Sequence, residues 1–168
     1  MSVSPSRAGG GEHFVRVADW AVERDGVLIT LGLGSCVAIM LHDPYARLGA
    51  MAHVLLPSRS LARDQTNPAK FPETAVPFLV TRLIAVGADR HRLVAKLAGG
   101  ASMFAQLMTP GTVQMGERNI AAARAALRDG AIPIIGEAVG GERGRSVHFH
   151  TSDGRVVSRT VGGDEVVF

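Results

Sequence analysis

The sequence predicts an α+β fold that is rich in strands and contains two helices. Short apolar runs with a period of two recur along the chain and are typical of strands. Two longer segments, residues 72–86 and 116–128, have helical start and stop signals, because Pro72 suits a first turn and a glycine follows each segment closely. A length of 168 residues with 46% apolar and 20% charged residues is typical of a compact folded chain.

The remaining elements follow from the apolar runs and the turn residues between them. We predict strands, in chain order, over residues 14–18, 27–31, 36–42, 48–56, 92–98, 132–139, 146–150 and 155–160. Residues 1–12 are rich in serine and glycine and are predicted to be a flexible tail, with residues 13–168 as one domain. The glycine-rich residues 140–144 are predicted to be a hairpin connection, and 152–154 the turn of the last hairpin.

One predicted hairpin carries the only cysteine of the chain, Cys36. Asp43 and Pro44 are turn residues, so residues 36–42 and 48–56 are expected to pair as antiparallel strands. A turn centred just after Pro44 pairs Cys36 with His53. Directly opposed residues have Cβ atoms about 4.5–5.5 Å apart, which is close enough for a thiol and an imidazole to share a proton.

The residues around Cys36 fit nucleophilic catalysis by a thiol. An adjacent His53 takes the thiol proton, and the resulting ion pair lowers the pKa of the thiol. Thr30 lies on the preceding strand and is placed to orient the imidazole, which gives a Cys-His-Thr triad. The glycine-rich turn, with Gly34 and Ser35, exposes backbone N–H groups that can stabilise an oxyanion.

Two other interpretations of these residues stay open. A single cysteine in an apolar strand is often an inert core residue, and a single histidine is often structural. His148 and His150 share a strand face and, with Cys36 and His53, form a second hypothesis of a metal or redox site. No further ligand stands near the two histidines in sequence, so we predict no metal and no organic cofactor.

Composition excludes several other classes of protein. One cysteine excludes an internal disulfide. The net charge is only +3 and there is no dense basic run with interleaved aromatic residues, so nucleic-acid binding is not expected. The sequence has neither a signal peptide nor an apolar run of membrane-spanning length, and we predict a cytoplasmic protein without membrane insertion.

Several motifs together resemble those of the CheD family, the bacterial and archaeal chemoreceptor glutamine deamidases. The most specific block combines the glycine turn, the cysteine, Asp-Pro and the histidine in one order. The resemblance extends from about His13 to Val157 and rests on residues 30–38, 43–44, 49–57, 95–104, 115–119, 129–130, 139–141 and 144–145.

The resemblance implies a fold, an activity and partners. The fold is a β-sandwich-like core of mixed sheets with helices packed on the outside, as in thiol-dependent deamidating toxins. The nucleophile falls on Cys36, the general base on His53 and the orienting threonine on Thr30. The implied activity is hydrolysis of glutamine side-chain amides to glutamate on the cytoplasmic helices of methyl-accepting chemotaxis receptors. A CheC-type phosphatase is an implied second partner, and the alternative function is a non-catalytic binding module that regulates it.

Overall fold

Two five-stranded sheets and two helices form three layers in the computed structural model, which describes residues 10–168. The first sheet has the order β1-β3-β8-β9-β10, and the second has the order β2-β5-β4-β6-β7. The strands are β1 Glu12–Phe14, β2 Trp20–Arg24, β3 Val27–Leu33, β4 Val37–Asp43, β5 Leu48–Val54, β6 Val94–Gly99, β7 Ile134–Val139, β8 Arg145–His150, β9 Val156–Thr160 and β10 Glu165–Val167. The helices are α1 Pro72–Ala85 and α2 Met115–Asp129.

The sheets pack face to face, and both helices cover the outer face of the second sheet. One apolar cluster joins the two sheets and includes Leu28 and Phe149 of the first sheet and Met40 and Met51 of the second. A second cluster lies between the second sheet and the helices. The predicted α+β class with helices outside a sandwich of mixed sheets is therefore confirmed.

The two helices form as their sequences predict. Helix α1 begins at Pro72, continues through Pro77 and ends just before Gly87, which has a positive φ of 112°. Helix α2 buries Ile120, Ala123 and Leu127 on one face, at helical spacing. No helix of residues 10–168 is long and apolar enough to cross a membrane.

The central hairpin has a different register from the predicted one. Ala38, not Cys36, lies opposite His53, because the turn contains four residues between the pair Asp43 and Leu48. The Asp43 carboxylate holds this longer turn by accepting hydrogen bonds from the backbone N–H groups of Tyr45 and Ala46, both at 3.0 Å. The shift is two residues, so every side chain keeps its predicted face.

Three other predictions of connectivity differ from the structure. The first predicted strand, residues 14–18, is mostly the link between β1 and β2, since Ala18 adopts a positive φ of 61° and turns the chain from one sheet to the other. Residues 140–144 are not a hairpin connection, because β7 and β8 belong to different sheets. Residues 1–9 of the predicted tail lie outside the described residues. The last residue of the predicted tail, Glu12, is the first residue of β1. The final hairpin, β8 with β9, is confirmed.

A buried carboxylate ties the hairpin turn to the segment before β6. Asp43 is fully buried and accepts three hydrogen bonds from the Arg92 guanidinium, at 3.0–3.2 Å, and one from the backbone N–H of Asp89 at 2.8 Å. Burial alone would raise the pKa of this carboxyl, but the hydrogen bonds outweigh burial and hold the pKa at about 2.

We expect Asp43→Asn to lower the free energy of unfolding by about 2–4 kcal/mol at neutral pH, because it removes the buried carboxylate that pairs with Arg92 and leaves only the exposed Asp89 as its counter-charge. The folded pKa of Asp43 lies below the unfolded value, so this contribution is present above about pH 4 and is lost as the pH falls towards about 2. Urea denaturation at several pH values measures it. The matched control is Asp25→Asn, which removes an exposed ion pair with Arg47 and should cost less than about 1 kcal/mol. Equal losses in the two variants would contradict the assignment.

Candidate active site

Cys36 lies at the end of a short loop that joins β3 in the first sheet to β4 in the second. The loop begins at an irregularity in the pairing of β3 with β8, between Thr30 and Leu33, where Gly32 adopts a positive φ of 68°. Gly34 leaves space for a neighbouring side chain, since a Cβ on it would lie 2.9 Å from the sulfur of Met103 and that flexible side chain would have to shift. The two glycines thus bend the loop and keep room for a neighbouring side chain.

Three successive carbonyl groups of this loop are each held by a hydrogen bond from outside it. The Gly34 carbonyl accepts from the backbone N–H of Ala101 at 2.8 Å. The Ser35 carbonyl accepts from the Asn119 side chain at 2.8 Å, and the Cys36 carbonyl accepts from the backbone N–H of Gly100 at 2.8 Å. The loop that carries the thiol is therefore fixed at every peptide group.

The glycine that precedes Gly100 cannot be replaced without moving the Cys36 backbone. Gly99 has a φ of 105°, and a Cβ at this position would lie 2.3 Å from the Cys36 carbonyl oxygen. The backbone at the end of β6 is therefore in direct contact with the backbone of the loop that carries Cys36, and only glycine leaves room for this contact.

The N–H groups of the same loop are available for a ligand. Within residues 10–168, the backbone N–H groups of Ser35 and Cys36 donate to no protein acceptor. The backbone N–H of Cys36 lowers the pKa of its own thiol and so offsets part of the effect of burial. Free N–H groups beside a thiol are the kind of donor that an oxyanion requires, and the use of Gly34 and Ser35 for this purpose stays a prediction.

A chain of hydrogen bonds orients the imidazole of His53. The Thr30 hydroxyl donates to the Val15 carbonyl at 2.6 Å and lies 2.8 Å from Nδ1 of His53. A hydroxyl has one proton, so Thr30 accepts from His53, and Nδ1 must carry the imidazole proton. Nε2 then holds a lone pair, and this buried atom has no hydrogen-bond partner among the described residues. The imidazole is thus prepared to accept a proton.

Cys36 and His53 lie on the same side of the second sheet, the side that faces the first sheet. Ala38, which follows Cys36 by two residues, is directly opposite His53. Cys36 immediately precedes β4 and therefore stands near the position diagonal to His53, where side chains of paired strands are about 7–8 Å apart. The structure brings Thr30 and His53 into direct contact and places Cys36 on their side of the sheet without a hydrogen bond to Nε2 of His53.

Both reacting groups are neutral in the resting structure. Burial raises the pKa of the Cys36 thiol and lowers the pKa of His53 to about 4. The expectation of a lowered thiol pKa differs from the direction found for the free protein, because Cys36 is only 9% exposed and the effect of burial on its pKa outweighs that of the backbone N–H. A neutral thiol can donate and the unprotonated Nε2 can accept, but no hydrogen bond joins the two groups in this structure, since Nε2 has no partner among the described residues.

A cleft of about 210 Å³ opens beside the nucleophile loop. Its walls are Ser35, the residues that follow Gly100 and the first residues of α2, namely Ala101, Ser102, Met103, Phe104, Gln114, Met115 and Gly116. The segment between these walls exposes large apolar side chains, among them Phe104 at 66% and Leu107 at 83%. An exposed apolar patch of this kind typically marks a binding surface.

His148 and His150 do not approach the thiol. The inward side chains of β8 are Val147 and Phe149, so the two histidines lie on the opposite face of the first sheet, away from Cys36. Within residues 10–168, no group of three or more histidine, cysteine or acidic side chains is placed to hold a metal ion. The geometry does not support the hypothesis of a metal site that includes these histidines.

Sequence reasoning located Cys36, His53 and Thr30 but did not foresee the contact of Asn119 with their loop. Asn119 is fully buried and also donates to the Leu55 carbonyl, at 3.2 Å. The available signal was a polar residue, poor at forming helices, on the buried face of a helix that is otherwise apolar there.

Comparisons with known proteins show which family the chain resembles. The family model described as "CheD chemotactic sensory transduction" matches residues 55–160. The chain is similar to a "Probable chemoreceptor glutamine deamidase CheD" of Moorella thermoacetica, with 47% identity over 154 residues, or 88% of this chain and 90% of the relative. The "Chemoreceptor glutamine deamidase CheD" of Thermotoga maritima is 43% identical over 152 residues, or 90% of this chain and 93% of the relative.

A solved structure shares part of the fold. The crystal structure of the Bacillus licheniformis hypothetical protein YfiH aligns with a TM-score of 0.46 and 13% sequence identity. The alignment covers 71% of this chain and 50% of that protein, which is too partial a likeness to bear on the site.

We expect Cys36 to react slowly with iodoacetamide at neutral pH, about tenfold or more below free cysteine, because its pKa is raised and only the thiolate is nucleophilic. The rate should climb steadily with pH and still be rising at about pH 9. Intact mass reports the modification cleanly, since the chain has no other cysteine. The same protein unfolded in urea is the control. A rate that reaches its plateau below about pH 8 would show an ion pair in the free protein.

Proposed function

The chain belongs to the CheD family, and we propose that it is a chemoreceptor glutamine deamidase that acts through Cys36, His53 and Thr30. The reaction is hydrolysis of a protein glutamine side-chain amide to glutamate, with release of ammonia. The observation that carries the assignment of residues is the hydrogen-bond chain from Val15 through Thr30 to His53, which leaves the lone pair of Nε2 without a partner. A structural histidine in a core would have both ring nitrogens satisfied.

The first step is attack of the thiol on the amide. Nε2 of His53 takes the Cys36 proton while Sγ bonds to the amide carbon of the glutamine side chain. The amide oxygen becomes an oxyanion, which the free N–H groups of Ser35 and Cys36 stabilise. Thr30 holds the imidazole in the required tautomer and accepts from Nδ1–H as the ring becomes cationic.

The second step releases ammonia and then glutamate. His53 gives its proton to the amide nitrogen and the carbon–nitrogen bond breaks. Ammonia departs, and the glutamine side chain remains attached to Cys36 as a thioester. A water molecule gives a proton to Nε2 and attacks the thioester carbon. The carbon–sulfur bond then breaks, the thiolate regains the proton from His53, and glutamate leaves.

A neutral resting pair has a mechanistic consequence. Since burial opposes both the thiolate and the imidazolium, charge separation in the free enzyme is costly. Proton transfer is therefore coupled to formation of the bond to carbon, when the negative charge moves onto an oxygen that faces two N–H donors. Such an enzyme keeps its thiol unreactive until an amide enters the cleft.

The exposed apolar segment beside the cleft is the surface where a receptor would dock. Phe104 lines one side of the cleft, the exposed Leu107 follows it by three residues, and Met115 begins the helix on the other side. Burying such side chains against an apolar stripe on a receptor helix would supply affinity, while the cleft admits one side chain. The receptor supplies the glutamine, so recognition and chemistry lie at adjacent positions.

The regulation of a CheC-type phosphatase stays a prediction from the resemblance, as does a cytoplasmic location. No contact among the described residues favours a purely binding function over catalysis. A mechanism through a thiol, an imidazole and backbone N–H groups uses no metal and no organic cofactor.

The test is deamidation of a purified chemoreceptor cytoplasmic fragment, followed by peptide mass spectrometry. Each glutamine that becomes glutamate adds about one dalton. The wild type should convert specific glutamines, and Cys36→Ala should convert none above the uncatalysed background. The control variant Ser152→Ala lies in the turn between β8 and β9, outside the candidate site, and should retain activity. Conversion by Cys36→Ala at the wild-type rate would overturn the assignment of the nucleophile.

A second variant tests the hydrogen-bond chain itself. Thr30→Val keeps the volume of the side chain and removes its hydroxyl. The His53 imidazole then loses the acceptor that orients it and that favours the tautomer with the proton on Nδ1. We expect kcat to fall about 10- to 100-fold with KM little changed. An unchanged kcat in a folded Thr30→Val protein would show that the threonine is structural.

A charged side chain introduced into the exposed apolar segment tests whether this segment is the docking surface. Leu107→Glu should raise KM for the receptor fragment about tenfold and leave kcat within about twofold, since Leu107 is not among the residues that line the cleft. The matched control is Tyr45→Glu, because Tyr45 is equally exposed, at 82%, but stands at the opposite end of β4 from Cys36. An equal effect of both variants, or none of either, would place docking elsewhere.

A further inference from the structure

The side chain of Asn119 links the helix layer to both halves of the candidate active site. It is fully buried in the second turn of α2. Its Nδ2 donates to the Ser35 carbonyl at 2.8 Å and to the Leu55 carbonyl at 3.2 Å. Ser35 precedes the nucleophile, and Leu55 follows His53 by two residues. One amide group therefore connects the nucleophile loop to the end of the strand that carries the base.

The contact with Ser35 determines where the N–H of Cys36 points. The Ser35 carbonyl and the Cys36 N–H belong to the same peptide group, which is planar and trans, so they point in opposite directions. With the carbonyl directed at Asn119, the N–H is directed away from the helix. Rotation of this peptide group would turn the donor away from the reacting atoms.

Of the three fixed carbonyls of the loop, only that of Ser35 is held by a side chain. The other two accept from the backbone N–H groups of Ala101 and Gly100, which any residue would supply. The direction of the Cys36 N–H thus depends on the identity of one residue.

A purely structural role explains Asn119 poorly. Its Oδ1 is buried and has no hydrogen-bond partner among the described residues. An aliphatic side chain of the same size, such as leucine, would remove the unsatisfied Oδ1, but it would take the donor away from the Ser35 and Leu55 carbonyls. Asparagine is also a poor helix former away from a cap. What leucine cannot supply is the pair of N–H donors.

We propose that Asn119 is a positioning residue for the deamidation, which aims the backbone N–H of Cys36 at the oxyanion by holding the Ser35 carbonyl. The inference rests on the thiol mechanism proposed above. Asn119 touches neither substrate nor reacting atoms, and it acts through the peptide group between Ser35 and Cys36.

The first test is Asn119→Leu in the full chain, assayed on the chemoreceptor fragment. We expect kcat to fall about tenfold or more and KM to stay within about twofold, since removal of one oxyanion donor costs about 10²- to 10³-fold and here the donor is misdirected, not removed. The matched control is Leu127→Ala, a buried residue two turns along the same helix that lies away from the loop. It should lower the unfolding temperature yet keep kcat while folded.

Alkylation of Cys36 separates positioning of the donor from general disorder of the loop. Displacement on iodoacetamide forms no oxyanion, so Asn119→Leu should alkylate within about threefold of the wild-type rate while deamidation is lost. A parallel loss of both reactivities would mean that the variant merely disturbs the thiol, and that result would overturn the inference.

Asn119→Asp gives a second readout if the leucine variant fails to fold. A buried carboxyl that faces two carbonyl oxygens has a raised pKa, and only its protonated form has an O–H to donate to Ser35. Relative to wild type, kcat of this variant should rise as the pH falls from about 8 to about 6. A constant ratio across this range would contradict the proposal.

The outcomes distinguish this inference from the proposed function. If the wild type deamidates and Cys36→Ala does not, the thiol mechanism stands, and full kcat in Asn119→Leu defeats only the role of Asn119. If Cys36→Ala is as active as wild type, the mechanism itself fails, whatever the asparagine variants do.

Discussion

Burial of the β4–β5 hairpin on both faces is the constraint on which the rest of the molecule depends. One face packs on the helices and the other on the first sheet, so every residue of both strands is buried. A polar side chain in such a position needs a partner, because an unpaired polar group there is costly. His42 meets this need with the Thr151 carbonyl at 2.8 Å, and Asp43 meets it with Arg92. His53 has a hydrogen-bond partner on Nδ1 but none on Nε2 among the described residues, and this unpaired nitrogen lies in the candidate active site.

The layers around the hairpin each contribute one part of the site. The first sheet supplies Thr30, the second sheet supplies His53, and the loop between the sheets supplies Cys36. The helix layer reaches the same point through Asn119. Chemistry at the junction of three layers does not require a mobile loop, because the groups that must align are held by packing and short hydrogen bonds.

Much of the site could be predicted from the sequence, because its parts are local or periodic. The glycine turn, the period of two in β4 and β5, and the Asp-Pro turn placed Cys36 and His53 on one face even though the register was two residues off. The strands β2 and β10 were missed, since β2 carries a charged residue, Glu23, and β10 is short and exposed. Two features could not be predicted: residues 140–144 cross from one sheet to the other, and Asn119 contacts Ser35. Both depend on which segments lie close together in space, and the periodicity of a local segment does not indicate this.

The apolar segment beside the cleft also bears on how the protein behaves in a crowded solution. The segment that leaves Leu107 83% exposed is open to a second copy of the chain as well as to the proposed receptor. If two copies paired through this segment, the fraction of molecules free to bind a receptor would fall as the protein concentration rises. The same few side chains would then govern both self-association and receptor binding.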